Sequence, residues 1–436
     1  MQFGKSILNG VKWTSISTIG VALSSLIRIS ILTRFLNKED FGLMAIVVFV
    51  LGVLNLFTDM GLTSAIFHKQ NISRKEYASL YWVNLFFGVT LYGLIFLLSP
   101  LIASFYDQPQ LTELIVIMSV TIIFAGLGNQ YKTIEQKNLN FKLIAIIEII
   151  SSSLALLLAI ILAVKGYGIY ALVFSALLQY SLPNLVFFIR GMIIRPVLLY
   201  FNWTLASPFL KIGIFEVGSQ VVNYFNRDLD ILIIGKLFSA EVLGGYSLAK
   251  QLVYRPAQII NPIITKIANP LLAKFQDNID ILKTNYLKLI KIISSLNFLV
   301  YLLIIIFAPI IISILYGNNY ESIVDVVRIL CVYMYIRSLG NPIGSLVIAT
   351  GRTDRAFYWN IFSITIMPVF IFIGSRYTIE TVALSIAVGF LVLFIPNWWY
   401  LVKYMTGATL TEFLKAIMPK FFLKELKEKF FSQKLK

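Results

Sequence analysis

The sequence predicts an all-α integral membrane protein of about twelve transmembrane helices, arranged as two pseudo-symmetric six-helix lobes with both termini cytoplasmic. Three observations predict it. The 436 residues are 58% hydrophobic, with a mean hydropathy of +0.83 and only 13% charged positions, about half the charge of a soluble globular chain. The apolar residues fall into runs of about 20, the length that crosses a hydrocarbon core. The 37 basic residues outnumber the 21 acidic ones and gather in alternate connections between those runs. That is the pattern of cytoplasmic membrane loops and not of a nucleic-acid surface.

Each element follows from the run that carries it. Apolar runs near residues 11–33, 41–66, 80–105, 111–131, 143–164, 168–189, 208–235, 240–268, 287–315, 323–349, 356–375 and 379–402 are separated by polar breaks and predict twelve spans. The polar N-terminus leads straight into a full-length run. It lacks the short apolar region and small-residue cleavage site of a signal peptide, so the first helix is expected to stay in the mature protein. One set of connections carries Lys69, Arg74 and Lys75, then Lys132, Lys137 and Lys142, then Arg190, Arg195 and Lys211, then Lys266, Lys274, Lys283, Lys288 and Lys291. These are expected to be cytoplasmic. The other set has Asp107 and Glu113, Lys236 balanced by Glu241, Glu321 with Asp325, and Arg376 balanced by Glu380, and should face outward.

Beyond Lys403, the residues Phe413, Leu414, Ile417, Phe421, Phe422, Leu426 and Phe430 recur at helical spacing among seven lysines. This predicts an amphipathic helix lying on the anionic inner leaflet. Within the chain, Arg34-Phe35-Leu36-Asn37-Lys38-Glu39-Asp40-Phe41-Gly42 matches Lys236-Leu237-Phe238-Ser239-Ala240-Glu241-Val242-Leu243-Gly244. Both segments join an odd-numbered span to the next, so the halves read as parallel repeats. The expected organisation is an N-terminal lobe over 1–200, a C-terminal lobe over 201–403 and a basic tail over 404–436.

Ionisable groups in hydrocarbon cost at least a few kcal/mol each, so their positions locate a water-filled path. In the seventh run Glu216, Gln220, Asn223, Arg227 and Asp230 line one helix face, and in the eighth Ser247, Lys250, Tyr254, Gln258, Asn261 and Thr265 do the same, with Arg255 beside them. The first run adds Thr14, Ser17, Ser24, Ser25 and Arg28, the second Asn55, Asp59 and Thr63, and the tenth Arg328, Arg337 and Asn341. Arg28, Arg227, Lys250, Arg255 and Arg337 outnumber Asp59, Glu216, Asp228 and Asp230, which predicts a cationic cavity suited to an anionic substrate. Arg forks and Lys point charges suit phosphate, and the amides and hydroxyls suit sugar. The same residues also allow structural ion pairs, Arg227 with Asp228 or Asp230 and Glu216 with Lys250 or Lys211. Pro256, Pro262 and Pro270, together with Gly340, Pro342 and Gly344, are candidate bending points.

Phosphate-loop, dinucleotide and metal-ligand motifs are absent from the sequence, so no cofactor is expected. His68 is the lone histidine and falls in a loop, and the lone Cys331 excludes an internal disulfide. Only Glu39-Asp40, in the first outer connection, keeps an enzymatic alternative open, that of a membrane polysaccharide polymerase.

The first outer turn with Phe41-Gly42, the segment Asp59-Met60-Gly61-Leu62 followed by Ala65, and the stretch Lys137-Asn138-Leu139-Asn140-Phe141 resemble the Wzx-type polysaccharide and O-antigen flippases. The most specific match is Asn226-Arg227-Asp228-Leu229-Asp230-Ile231-Leu232-Ile233-Ile234-Gly235 with Gly244, Tyr246, Ser247, Leu248 and Ala249. That family lies in the polysaccharide transport branch of the multidrug, oligosaccharidyl-lipid and polysaccharide exporter superfamily. The resemblance implies a V-shaped carrier in the bacterial cytoplasmic membrane that moves undecaprenyl-diphosphate-linked oligosaccharide by alternating access, for O-antigen, capsule or exopolysaccharide synthesis. It implies lipid-linked oligosaccharide and membrane lipids as partners, with a polysaccharide polymerase and a chain-length regulator nearby, and no nucleic acid. On this reading Arg28, Arg227, Lys250 and Arg255, with Arg337, draw in the diphosphate. Gln220, Asn223, Gln258 and Asn261 bind sugar hydroxyls, and Asp59, Glu216 and Asp230 are candidates for ion coupling. A multidrug exporter and a lipid II flippase of the same superfamily are the sibling alternatives.

Overall fold

The computed structural model describes residues 2–58, 66 and 72–419, with the side chains of 2–8, 210–216, 219, 262, 263, 266 and 267 outside the described set. The described chain is helical and forms no strand. Its helices are α1 (Gln2–Leu32), α2 (Lys38–Thr58), α3 (Arg74–Phe105), α4 (Leu111–Lys137), α5 (Phe141–Val164), α6 (Ile169–Ile194) and α7 (Trp203–Leu237). They continue as α8 (Ala240–Ala273), α9 (Ile279–Leu315), α10 (Val324–Ser338), α11 (Asn341–Thr350), α12 (Thr353–Gly374), α13 (Ile379–Asn397) and α14 (Leu410–Ile417). Among the described residues nine segments are long and apolar enough to cross a membrane: α1 to α6, α9, α12 and the stretch Ile379–Thr406. The helices α7 and α8 are longer still, at 35 and 34 residues, and carry the polar stripes.

Local chemistry sets the boundaries. Ser73 and Glu76 form a reciprocal capping box at the start of α3, Asn202 accepts from the Thr204 amide at the start of α7, and Thr378 caps α13. Asp40, in the first turn of α2, accepts from the Asn37 amide at 3.0 Å, so the acidic pair that kept the enzymatic alternative open starts a helix. The tenth apolar run is two helices: the ladder stops at Ser338, and Gly340 leads into α11 with Pro342 in its first turn. Helix α8 by contrast stays helical from Ala240 to Ala273 across Pro256, so its prolines remove single donors without dividing it.

By its contacts the chain forms two compact units, residues 1–247 with 312–321 and residues 248–311 with 322–436. In the first unit, Ser151, Ala155, Ala159 and Ala163 recur every fourth residue and are buried. This stripe of small side chains lets α5 pack closely on its neighbours α1 and α6, which is how helices associate where lipid removes the hydrophobic drive.

The internal repeat forms a physical seam in this unit. A Cβ added to Gly42 would overlap the Ala240 carbonyl, and one added to Gly244 would overlap the Lys38 carbonyl. The two segments therefore meet reciprocally, each glycine against the residue that begins the other copy's helix, and only a hydrogen side chain permits that approach. The equivalents Arg34 and Lys236 act alike nearby. Arg34 donates to the Ser313 and Ile314 carbonyls at 3.3 and 2.9 Å, at the end of α9, while Lys236 bridges Asp107 at 2.8 Å, just past the end of α3. Asp107 is thus the partner of Lys236. Both α3 and α9 end in a buried tyrosine followed by a left-handed residue, Tyr106–Asp107 with φ 55° and Tyr316–Gly317 with φ 92°.

In the second unit a buried cluster joins Leu282, Tyr286 and Ile290 of α9 to Leu346 of α11, Leu401, Met405 and Phe413. Helix α14 turns its apolar face onto this cluster, with the Phe413 ring stacked on Phe394 at 5.4 Å. The first part of the basic tail is thereby docked on protein through Phe413, with Leu414 left exposed. Residues 420–436 lie outside the described residues.

Candidate substrate-binding site

In the first unit α7 is fixed by Tyr224. Its buried hydroxyl donates to the Phe49 carbonyl of α2 at 2.9 Å, in the space that Gly52 leaves open. Gln220, at the middle of α7, with Asn223 and Arg227 of the same stripe, is exposed. The Arg227 guanidinium lies 5.2 Å from the Tyr224 ring centroid and donates from Nε to Asp228 Oδ2 at 2.7 Å. The ion pair anticipated as an alternative is therefore present, and Asp228 offsets part of the Arg227 charge. Asp230 departs from the stripe: it is 7% exposed, accepts from the Tyr246 hydroxyl at 2.5 Å and accepts from the Ile231 amide. Arg28 is half-buried on α1. Asp59 lies outside the described residues, and so does the side chain of Glu216.

In the second unit Lys250 is 7% exposed, with its ammonium 5.5 Å from the Tyr254 ring centroid. Arg337, in the last turn of α10, lies 5.7 to 5.9 Å from the ring centroids of Tyr254, Tyr333 and Phe390, and donates to the Tyr333 hydroxyl at 2.5 Å. Tyr254 and Tyr333 share a hydroxyl hydrogen bond of 3.0 Å. Two cations are thus set on one aromatic frame, where ring faces stabilise positive charge, and the C-terminal end of α10 adds its negative dipole. Asn341, at the start of α11, donates to Asn261 at 2.6 Å, tying the helix break to α8. Arg255 reaches Gln258 at 3.4 Å, and Gln258 itself is exposed.

One half-buried network escaped the sequence reading. Glu148 of α5 accepts from Ser17 of α1 at 2.6 Å and pairs with Lys132 of α4 at 2.8 Å. Lys132 belongs to α4 and not to a loop. The signal was available, because Glu148 is the single acid in the apolar helix Phe141–Val164 and so required a partner.

A multi-pass helical protein whose long helices hold cations, amides and a buried carboxylate among apolar residues has the make-up of a membrane transporter. Among solved structures its fold matches the lipid II flippase MurJ in an inward closed conformation, with a TM-score of 0.77 at 17% identity over 94% of this chain and 90% of that one. Residues 31–325 match the family model described as "Polysaccharide biosynthesis protein", and the chain belongs to that family. The chain is 29% identical to the lipopolysaccharide biosynthesis protein WzxC of Escherichia coli, over 97% of its own length and 86% of that protein. It is 30% identical to the teichuronic acid biosynthesis protein TuaB of Bacillus subtilis, over 96% and 86%. It is a multi-pass transporter of the bacterial cytoplasmic membrane, serving polysaccharide biosynthesis.

Proposed function

We propose that this transporter is a flippase for an oligosaccharide linked through a diphosphate to a long isoprenoid lipid, undecaprenyl diphosphate, carrying it from the inner to the outer leaflet by alternating access. The observation that carries the reading is the exposed polar stripe Gln220, Asn223 and Arg227 at the middle of α7. A helix embedded in lipid does not hold such groups against hydrocarbon, so the stripe lines an aqueous path. Moving a sugar through the bilayer unaided strips water from its hydroxyls without replacement, and amides along the path lower that barrier.

The charges fit the same substrate. Arg28, Arg227, Lys250, Arg255 and Arg337 attract a diphosphate, while Gln220, Asn223, Gln258 and Asn261 serve the glycan. Asp230, with Asp59 and Glu216, is the place to seek ion coupling. The alternation of basic connections supports twelve spans with both termini in the cytoplasm. A polysaccharide polymerase and a chain-length regulator would receive the product on the outer face.

Deleting the gene, extracting the lipid-linked glycans and treating spheroplasts with a membrane-impermeant glycosidase tests the reading. Complete single repeat units that accumulate beyond the reagent's reach are expected. Units that are accessible yet unpolymerised, or no change in lipid-linked glycan, would overturn it.

A further inference from the structure

The second unit holds a cationic, aromatic cluster that the transport path does not use. Helix α12 starts after a left-handed turn at Gly351, with φ 69°, and α13 runs on through a π-helical segment, Trp398–Lys403, and a last α turn, Tyr404–Thr406. These ends bring Arg352 and Arg355 to one ring. The Arg355 guanidinium lies 3.2 Å from the Tyr404 centroid, and that of Arg352 lies 4.9 Å from it. Arg352 is occupied: Nε and Nη2 bond Asp354 at 3.2 Å each, and Nη1 donates to the Tyr404 hydroxyl at 2.9 Å. Arg355 donates from Nη1 to the Tyr400 carbonyl at 3.1 Å, while its Nε is buried with no hydrogen-bond partner. Two guanidinium groups thus meet one ring while the Asp354 carboxylate pairs with Arg352, and the arrangement leaves a net positive charge. An oxyanion would satisfy that charge.

What lies behind this cluster identifies the oxyanion. The Trp359 ring stacks on Tyr400 at 6.3 Å and 27°. Trp359 is also a wall of a cleft that Ile343, Phe390, Leu393, Phe394 and Phe413 line further, with Arg337, Ser363 and Asn397 as its polar positions. One layer of rings therefore separates a cationic mouth from a mostly apolar, aromatic slot that has Arg337 in its wall. Phe357, Tyr358, Ile361 and Phe362 stand exposed on the same helix α12, as side chains facing lipid do. Lys283, paired with Glu412 at 3.6 Å, and Lys403 and Lys415 add to the positive charge of this end, which marks the inner leaflet. A free anion has no use for the rings that make up most of the slot, and a neutral lipid has no use for the arginines at its mouth.

We propose that this is a binding site for an anionic phospholipid of the inner leaflet, its phosphate on Arg355 beside Arg352 and an acyl chain in the cleft walled by Trp359 and Phe394. The lipid would brace the junction of α12, α13 and α14 in the resting protein.

Native mass spectrometry of the full chain, released from mixed micelles of phosphatidylglycerol and phosphatidylcholine, tests this. At least a tenfold preference for retained phosphatidylglycerol is expected. Arg355→Gln should abolish most of it, Arg355→Lys, which keeps the charge and loses the fork, should reduce it, and Lys274→Gln should leave it intact. Chromatographic monodispersity of each variant separates lost binding from lost folding. Equal retention of both lipids, a preference unchanged in both Arg355 variants, or equal loss in Lys274→Gln would overturn the assignment. So would displacement of the lipid by millimolar inorganic phosphate alone, which would mark an ion site. Displacement by an isoprenyl diphosphate at concentrations where phosphatidylglycerol fails to compete would likewise hand the site to the substrate.

Discussion

Replacing Gly244 with alanine tests the seam between the two copies of the repeat. The added methyl would overlap the Lys38 carbonyl oxygen, and it would stand 2.7 Å from that carbonyl's carbon and 2.9 Å from the Gly42 amide nitrogen, against about 3.4 Å for ordinary contact. All three neighbours are backbone, so no rotamer change relieves the clash. The starts of α2 and α8 must separate by at least 0.7 Å for the carbonyl carbon alone. Overpacking of this kind costs about 1–3 kcal/mol. Gly42→Ala meets the Ala240 carbonyl in the same way, with its carbon also at 2.7 Å, and should cost a similar amount. Because one separation relieves both clashes, the double variant should cost clearly less than the sum of the singles, a coupling of about 0.5–3 kcal/mol. Denaturant unfolding in detergent, with the Gly93→Ala variant as an open-space control, measures each arm. A Gly244→Ala protein as stable as the control, or a double variant that is strictly additive, would refute the reciprocal contact.

Three further outcomes are expected. Tyr246→Phe removes the hydroxyl that donates to the buried Asp230 carboxylate and should destabilise the protein by about 1–3 kcal/mol; unfolding in detergent checks it, and an unchanged midpoint would mean that the bond contributes nothing. Gln220→Leu with Asn223→Leu, in protein that stays monodisperse on chromatography, should slow glycan appearance in the spheroplast assay at least tenfold, equivalent to about 1.4 kcal/mol of barrier; unaltered flipping would remove the stripe from the path. Glu412 is held below the ordinary carboxylate range, first by the Thr409 amide and then by the Thr409 hydroxyl, with Lys283 adding to the effect. Its capping of α14 is therefore complete above the ordinary carboxylate pKa and lost as pH falls through the lowered value. Thr409→Ala should weaken the cap at neutral pH by about 1 kcal/mol, and hydrogen exchange of the α14 amides reads both effects; equal protection in the variant and at pH 3 would contradict the cap.

Long apolar runs made the helices legible, because a span must satisfy its backbone internally and advertises its length in the chain. The break at Gly340-Asn341-Pro342 was legible for the same reason. Partner choice across space was not. Lys236 has Glu241 nearby in sequence, yet its ammonium reaches Asp107 just past the end of α3, and the pairing of Lys132 with Glu148 follows from α4 continuing past its apolar run at 131 to Lys137. The fate of Asp230 follows from helical arithmetic. The stripe Glu216, Gln220, Asn223, Arg227, Asp230 alternates steps of four and three, a mean of 3.5, and slips by about 20° every seven residues against a helix of 3.6. After fourteen residues Asp230 has rotated off the exposed face toward Tyr246. A pattern that looked uniform in one dimension thus holds two kinds of residue, with Gln220, Asn223 and Arg227 exposed and Asp230 locked inside.

The π-helical segment Trp398–Lys403 carries a consequence for the reading of related chains. A π turn accommodates one residue more than the α ladder on either side of it. A relative lacking that residue would run straight, and every position after it would turn by about 100°. Tyr404 would leave Arg355, and α14 would start from a different bearing. A one-residue gap between Pro396 and Gly407 in an alignment is therefore a change of architecture, and residues on its far side should be compared only among chains of the same local length.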